Sequence, residues 1–121
     1  MADHNELGAE GERIALRYLQ SKSYAILETN WKDRAGELDI IAREGNEVVI
    51  VEVKTRTGTQ IVDAERAITR QKQARMIKLA HRFILLNAIS AEVRFDVLII
   101  VKQAEEMYEI RHIPDAFYPL L

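Results

Sequence analysis

Apolar and polar positions alternate with two different periods along this chain, and the switches between them divide it into seven elements. Residues 6–20 follow the helical period of about 100° per residue. Leu7, Ile14, Ala15, Leu16, Tyr18 and Leu19 share one arc, and Glu6, Glu10, Arg13 and Arg17 the opposite one. Ser21-Lys22-Ser23 ends this helix, and Tyr24–Glu28 reads as a short strand. Thr29–Ala35 is a polar connection containing Trp31, Lys32 and Arg34. Glu37–Arg43 is a second strand and Val48–Lys54 a third, joined by the turn Glu44-Gly45-Asn46-Glu47, where glycine and asparagine tolerate positive φ. The third strand is apolar on both faces until its end, the pattern of a central strand covered on both sides.

Thr55–Gln60 reads as a loop and residues 62–86 as a second helix, with Ile68, Met76, Ile77, Leu79, Ala80, Phe83 and Ile84 as its buried stripe. Asn87–Ala91 breaks it. Glu92–Val101 and Met107–Ile113 are two further strands, the last at a sheet edge, and Pro114 and Pro119 mark a loose tail over residues 114–121. The order αβββαββ predicts one mixed α/β domain spanning residues 1–121, with a central sheet flanked by helices.

Three charged residues interrupt this pattern. Asp39 lies between Leu38 and Ile40, and Glu52 and Lys54 share one face of the third strand. A carboxylate in an apolar strand is costly unless a charge or hydrogen bond meets it. The hairpin brings Asp39 beside the strand carrying Glu52, and two carboxylates that close repel unless a cation neutralises them. Magnesium suits such a pair, because it takes one or two carboxylates, keeps waters and engages phosphate oxygens. The plainer readings are an exposed edge face for Asp39 and a structural ion pair for Glu52 and Lys54.

Glu12 is the one charged side chain on the apolar arc of the first helix. It needs a partner: an arginine such as Arg94 or Arg56, or the same metal site. Lys72 falls within the apolar stripe of the second helix, either with its stem along apolar surface and its head in water, or over the carboxylates toward a substrate phosphate.

Charge and composition narrow the classes. The net charge is −2, against what a nucleic-acid binder usually shows. Yet residues 65–82 hold Arg66, Arg70, Lys72, Arg75, Lys78 and Arg82 against Glu65 alone, either a solvated face or a phosphate-binding one. There is no cysteine, which excludes disulfides, thiol nucleophiles and cysteine-bound zinc. The polar, acidic start argues against a secretory signal, and no apolar run is long enough to span a membrane; a cytoplasmic protein with no membrane partner is expected. No Gly-rich phosphate loop, H-E-x-x-H or G-x-S-x-G is present. The scattered His4, His81 and His112 are expected at the surface.

Asp39, twelve residues, then Glu52-Val53-Lys54 resembles the PD-(D/E)-x-K nuclease signature, with Leu38 in the place of its proline. The order of elements is similar to the restriction-endonuclease-like core. The nearer resemblance is to the YraN-like family of small bacterial proteins, related to archaeal Holliday junction resolvases. It rests on Gly8-x-x-Gly11-Glu12-x-x-Ala15, Asn30, Gly36-Glu37-Leu38-Asp39-Ile40-Ile41, Val51-Glu52-Val53-Lys54-Thr55-Arg56, Lys72 and Arg94-Phe95-Asp96-Val97.

That resemblance implies a Mg2+- or Mn2+-dependent nuclease for branched or structured DNA. Asp39 and Glu52 would be metal ligands, with the Val53 carbonyl as a third. Lys54 would orient or deprotonate water, and Glu12 would match the helix-one glutamate of the resolvase-like group. Arg34, Arg56, Arg66, Arg70, Lys72 and Arg75 are the expected contacts to the nucleic-acid backbone. A homodimer would serve symmetric cutting of two strands, with the strand edges and Phe117-Tyr118-Pro119-Leu120-Leu121 as candidate interfaces. Two other readings stand beside it: a non-catalytic module binding nucleic acid or a repair partner, and a nuclease for RNA.

Overall fold

A computed structural model describes residues 4–57 and 68–118. The elements are α1 (His4–Ser21), β1 (Ala25–Asp33), β2 (Gly36–Glu44), β3 (Glu47–Thr57), α2 (Arg70–Leu86), β4 (Glu92–Ala104) and β5 (Met107–Phe117). They form a mixed α/β domain in which one five-stranded sheet, in the order β1-β2-β3-β4-β5, carries a helix on each face. β3 and β4 are parallel and every other pairing is antiparallel. Among the described residues no helix is long and apolar enough to cross a membrane.

The central pairing is continuous: all of β3, Glu47 to Thr57, runs beside Glu92 to Lys102 of β4. Both faces of this pair are buried, as its unbroken Val/Ile/Leu runs require. Val48, Ile50, Val97 and Ile99 pack toward α2 with Met76, Leu79 and Phe83. Val49, Val51, Leu98 and Ile100 pack toward α1 with Ala15 and Leu19. α1 comes very close to the sheet at Gly11, where an added Cβ would fall 2.0 Å from Thr55 Oγ1.

Several boundaries differ from the sequence pattern, each for an identifiable reason. Thr29–Asp33, expected as connection, extends β1 instead. Thr29 and Lys32 face water, and Trp31 anchors the strand edge-on against Phe83 of α2, with ring centroids 5.5 Å apart. Thr55–Thr57, expected as loop, continue β3 because β4 offers a partner for each of them. α2 starts at Arg70 rather than 62, since Thr69 is an extended N-cap whose hydroxyl accepts the Lys72 N–H at 3.1 Å. The earlier part of the expected helix, including Glu65 and Arg66, lies outside the described residues.

The expected tail is also structured as far as Phe117. The β4–β5 register shifts between Val97↔Ile113 and Phe95↔Phe117, which takes up Pro114 and the left-handed Asp115 (φ 55°). Phe117 returns into the core and stacks on Phe95, 4.8 Å between centroids. It is therefore no candidate for an interface. Tyr118 is exposed, and residues 119–121 lie outside the described residues.

Gly11→Ala should lower stability by about 1–3 kcal/mol, the usual cost of overpacking. Thr55→Ala in the same chain should return part of the loss, measured as a double-mutant cycle in denaturant unfolding. Additive effects would show that α1 does not rest on Thr55.

Candidate functional site

The β2–β3 ladder runs from the turn, Glu44↔Glu47, to Ile40↔Val51. Beyond it the side-chain alternation of β2 slips. Leu38 and Ile41 both pack toward α2, while Ile40 and Ala42 pack toward α1. Asp39 sits at the slip, and its Oδ2 accepts the Val53 N–H at 2.9 Å, in the place of a backbone partner. The carboxylate is thus built into the end of the ladder, half-buried rather than on an exposed edge.

Glu52 lies on β3 with only 3% of its surface exposed. Its Oε2 meets two ammonium groups, Lys54 Nζ at 3.3 Å and Lys72 Nζ from the first turn of α2. Burial pushes the Asp39 carboxyl well above the usual carboxylate range. The neighbouring Glu52 charge raises it further, against the opposing Val53 N–H, and a hydrogen bond between the two carboxyls adds to the rise. Asp39 is thus the acid of the pair whose charged form is disfavoured, whereas Glu52 is met by two lysines. For Lys72, burial works against the charged form, but the bond to Glu52 outweighs it and holds the ammonium above its ordinary range.

Glu12 approaches from α1. Neither Arg94 nor Arg56 meets it: Arg94 serves other acids, and Arg56 donates to the Thr55 carbonyl at 3.0 Å. Its partner is Asn30 of β1, a residue in the left-handed region (φ 51°). With its NH2 turned toward the carboxylates, Asn30 donates to Glu12 Oε1 at 3.2 Å and Glu37 Oε1 at 2.9 Å. Burial raises the Glu12 pKa against that bond, helped by the charges of Glu37 and Glu52. Asn30 is the member of this group to which the residue pattern assigned no role. A polar residue in a polar edge strand carries no signal of its own.

The arrangement brings four acids, two lysines and one amide into a single electrostatic neighbourhood. Among the described residues no three or more His, Asp or Glu side chains form a ready-made metal cage. Magnesium asks for less, one or two carboxylates with the remaining positions filled by water and substrate. Asp39 and Glu52 match that donor set, being two mostly buried carboxylates carried on adjacent strands.

The expected backbone-binding residues divide into groups. Lys72 is at the site. Arg56 follows two residues after Lys54 on β3 and is half-buried. Arg70 and Arg75 are exposed on α2, and the Arg75 side chain lies over Gly36 at the start of β2. Arg34 lies apart from the carboxylates, in the β1–β2 turn. It lines an open depression of about 420 Å3 with Asp33, Ala35, Lys78 and Arg82, where Arg82 is paired with Asp33. Arg66 lies outside the described residues.

On the α1 side of the sheet a second charged network is complete in itself. Asp96, with 0% exposure, accepts from Arg94 at 2.8 and 3.0 Å, from the Asp115 N–H at 3.0 Å, and bonds His112 Nε2 at 2.7 Å. Arg94 also reaches Glu44, Glu47 and the Tyr24 hydroxyl, and His112 Nδ1 meets the Tyr18 hydroxyl at 3.1 Å. His112 is thus a half-buried structural partner, not a scattered surface histidine. Burial alone would raise the Asp96 pKa; the bonds from His112, Arg94 and the Asp115 N–H reverse this and hold it below the usual range. The signal was present in the sequence, since Asp96 interrupts an apolar strand just as Asp39 does.

Residues 11–100 match the model of a family described as the uncharacterised protein family UPF0102. A UPF0102 protein of Flavobacterium psychrophilum is 40% identical over 118 residues, covering 98% of each chain. One of Bacteroides thetaiotaomicron is 42% identical over 121 residues, covering 100% of this chain and 99% of its own. One of Porphyromonas gingivalis is 42% identical over 122 residues, with 100% and 90% covered.

Two predictions concern the two buried acids. The folded state keeps a proton on Asp39 that the unfolded chain sheds near the ordinary carboxylate pKa, so metal-free stability should fall as pH rises through the window between the two. Asp39→Asn should flatten that fall and raise the melting temperature above neutral pH; an unchanged pH profile would show that Asp39 is not protonated. For Asp96 the sign is reversed. Its contribution is present above the ordinary carboxylate pKa and is lost as pH drops through its lowered value. Asp96→Ala should cost about 3–5 kcal/mol in urea unfolding, because Arg94, His112 and the Asp115 N–H all lose their shared buried acceptor.

Proposed function

We propose, for a chain that belongs to the UPF0102 family, a Mg2+- or Mn2+-dependent nuclease that hydrolyses phosphodiester bonds in branched or structured DNA, on a restriction-endonuclease-like fold of the PD-(D/E)-x-K type. One observation carries the reading. Asp39 and Glu52, on adjacent strands in a mostly buried setting, are close enough for the Glu52 charge to raise the Asp39 pKa, and Lys54 follows Glu52 on the same strand. A protein gains no stability from pressing two carboxylates together, and a divalent cation is the usual reason to keep them so.

Asp39 and Glu52 would hold the cation, with the Val53 carbonyl as a third donor. The bound metal would supply an acidified water and a charge to polarise the phosphate. Lys54, paired with Glu52, would hold that water and meet negative charge that develops on the phosphate. Glu12, whose pKa is raised by burial, faces the pair from α1 through Asn30 and Glu37. Arg56, Arg70 and Arg75 would meet backbone phosphates along the face of α2, and Arg34 with its depression would extend that track. A homodimer would present two such sites to two strands of a junction.

A second reading is favoured by one detail. Glu52 is already balanced by two ammonium groups without any metal, as in a non-catalytic binding module. The two readings part in one assay. Labelled four-way junctions, flaps and plain duplexes with Mg2+ or Mn2+ should be bound by wild type and by Asp39→Asn, but cut by wild type only. Lys54→Ala should slow cutting by about 10²–10³, the range for loss of one charge-stabilising donor. Binding of all three substrates with no cutting by wild type would favour the module.

A further inference from the structure

Lys72 occupies a position that its own helix disfavours. Thr69 is the N-cap of α2, so Lys72 is the third residue of the first turn, a place where a capping motif has Glu or Gln reaching back. The helix N-terminus carries partial positive charge and repels an ammonium there. The first turn of α2 contains no acidic residue to offset it. What holds the Lys72 head is Glu52, and it shares the single oxygen Oε2 with Lys54. The two lysines are not equivalent. Lys54 stands two residues from Glu52 on the same strand, with its side chain 22% exposed, so its backbone is fixed beside the site. Lys72 reaches in from another element, is 38% exposed, and has a flexible stem with open solvent beside it.

We propose that Lys72 is a positioning residue that occupies the cation's place on Glu52 in the metal-free protein and is exchanged out when the divalent cation binds. This rests on the metal-site reading above and deepens it. In the metal-free state the Lys72 ammonium balances the Glu52 carboxylate. A divalent cation brings two charges to the same carboxylates, so the Lys72 charge becomes surplus and helix repulsion turns it outward. Released beside the site, the ammonium is free to take a phosphate oxygen of the nucleic acid. Metal and nucleic acid then favour each other through one side chain. Each removes a competitor or supplies a partner for the other, and the coupling is reciprocal.

The test uses the full chain without nucleic acid. Mn2+ is titrated calorimetrically into wild type and Lys72→Met, which keeps the stem and drops the charge. Mg2+ is titrated into 15N-lysine-labelled protein while the Lys72 and Lys54 Nζ signals are followed. The expected result is Mn2+ binding about tenfold tighter in Lys72→Met, the scale of one charged hydrogen bond no longer displaced. In wild type the protected Lys72 Nζ signal should vanish on Mg2+ addition while that of Lys54 persists. Equal Mn2+ affinity in the two proteins, or a Lys72 signal unmoved by saturating Mg2+, would overturn the exchange and leave the metal site standing. Absence of Mn2+ binding in both proteins would overturn the metal reading and the exchange with it.

Discussion

Everything in this domain hangs on the parallel pairing of β3 with β4. A parallel pair cannot be closed by a tight turn, so the chain must cross over, and α2 is the return path. The crossover puts α2 on one face, and α1 covers the other. Because both faces are covered, any charge placed on β3 or β4 must be answered by another element. Glu52 on one face is answered by Lys72 of α2, and Asp96 on the other by His112 of β5 and by Arg94. The two networks follow from one constraint applied to opposite faces of the same pair of strands.

They differ in how far each is satisfied internally. Around Asp96 every near neighbour is a donor, and the acid is held below its ordinary pKa. Around Asp39 the nearest neighbours include other acids, and the carboxyl is held above its ordinary pKa. The first arrangement needs nothing from outside. The second answers Glu52 with two lysines but leaves Asp39 with an acid for a neighbour, and that difference marks it as the candidate site.

Much of this was legible in the residues. The hairpin, the central third strand and the helix on either side follow from periodicity, and Asp39, Glu52 and Lys54 announce themselves as charges in apolar strands. What was not legible depends on partners distant in the chain. Strand ends at Asp33, Thr57 and Phe117 are set by the neighbour available to pair, not by local composition. Asn30 enters only through the family resemblance and has no role in the apolar–polar pattern, because its importance lies in bridging Glu12 and Glu37. The partner of Glu12 could not be chosen between two arginines, and is neither, because Arg94 is drawn to a fully buried acid. Lys72 showed itself as a charge within an apolar stripe, but its direction depends on where α2 begins, which the pattern misplaced.

The β2–β3 hairpin turns over Gly45 (φ 58°) and needs only neighbouring residues to close. The β3–β4 pairing needs the whole crossover to close first, with the larger loss of chain entropy that a distant contact carries. Asp39 and Glu52 are thus brought together by a contact that is local in the chain, whereas Lys72 meets Glu52 only across the whole crossover. Anything that loosens the crossover would leave the two acids adjacent while taking from Glu52 one of its two cations.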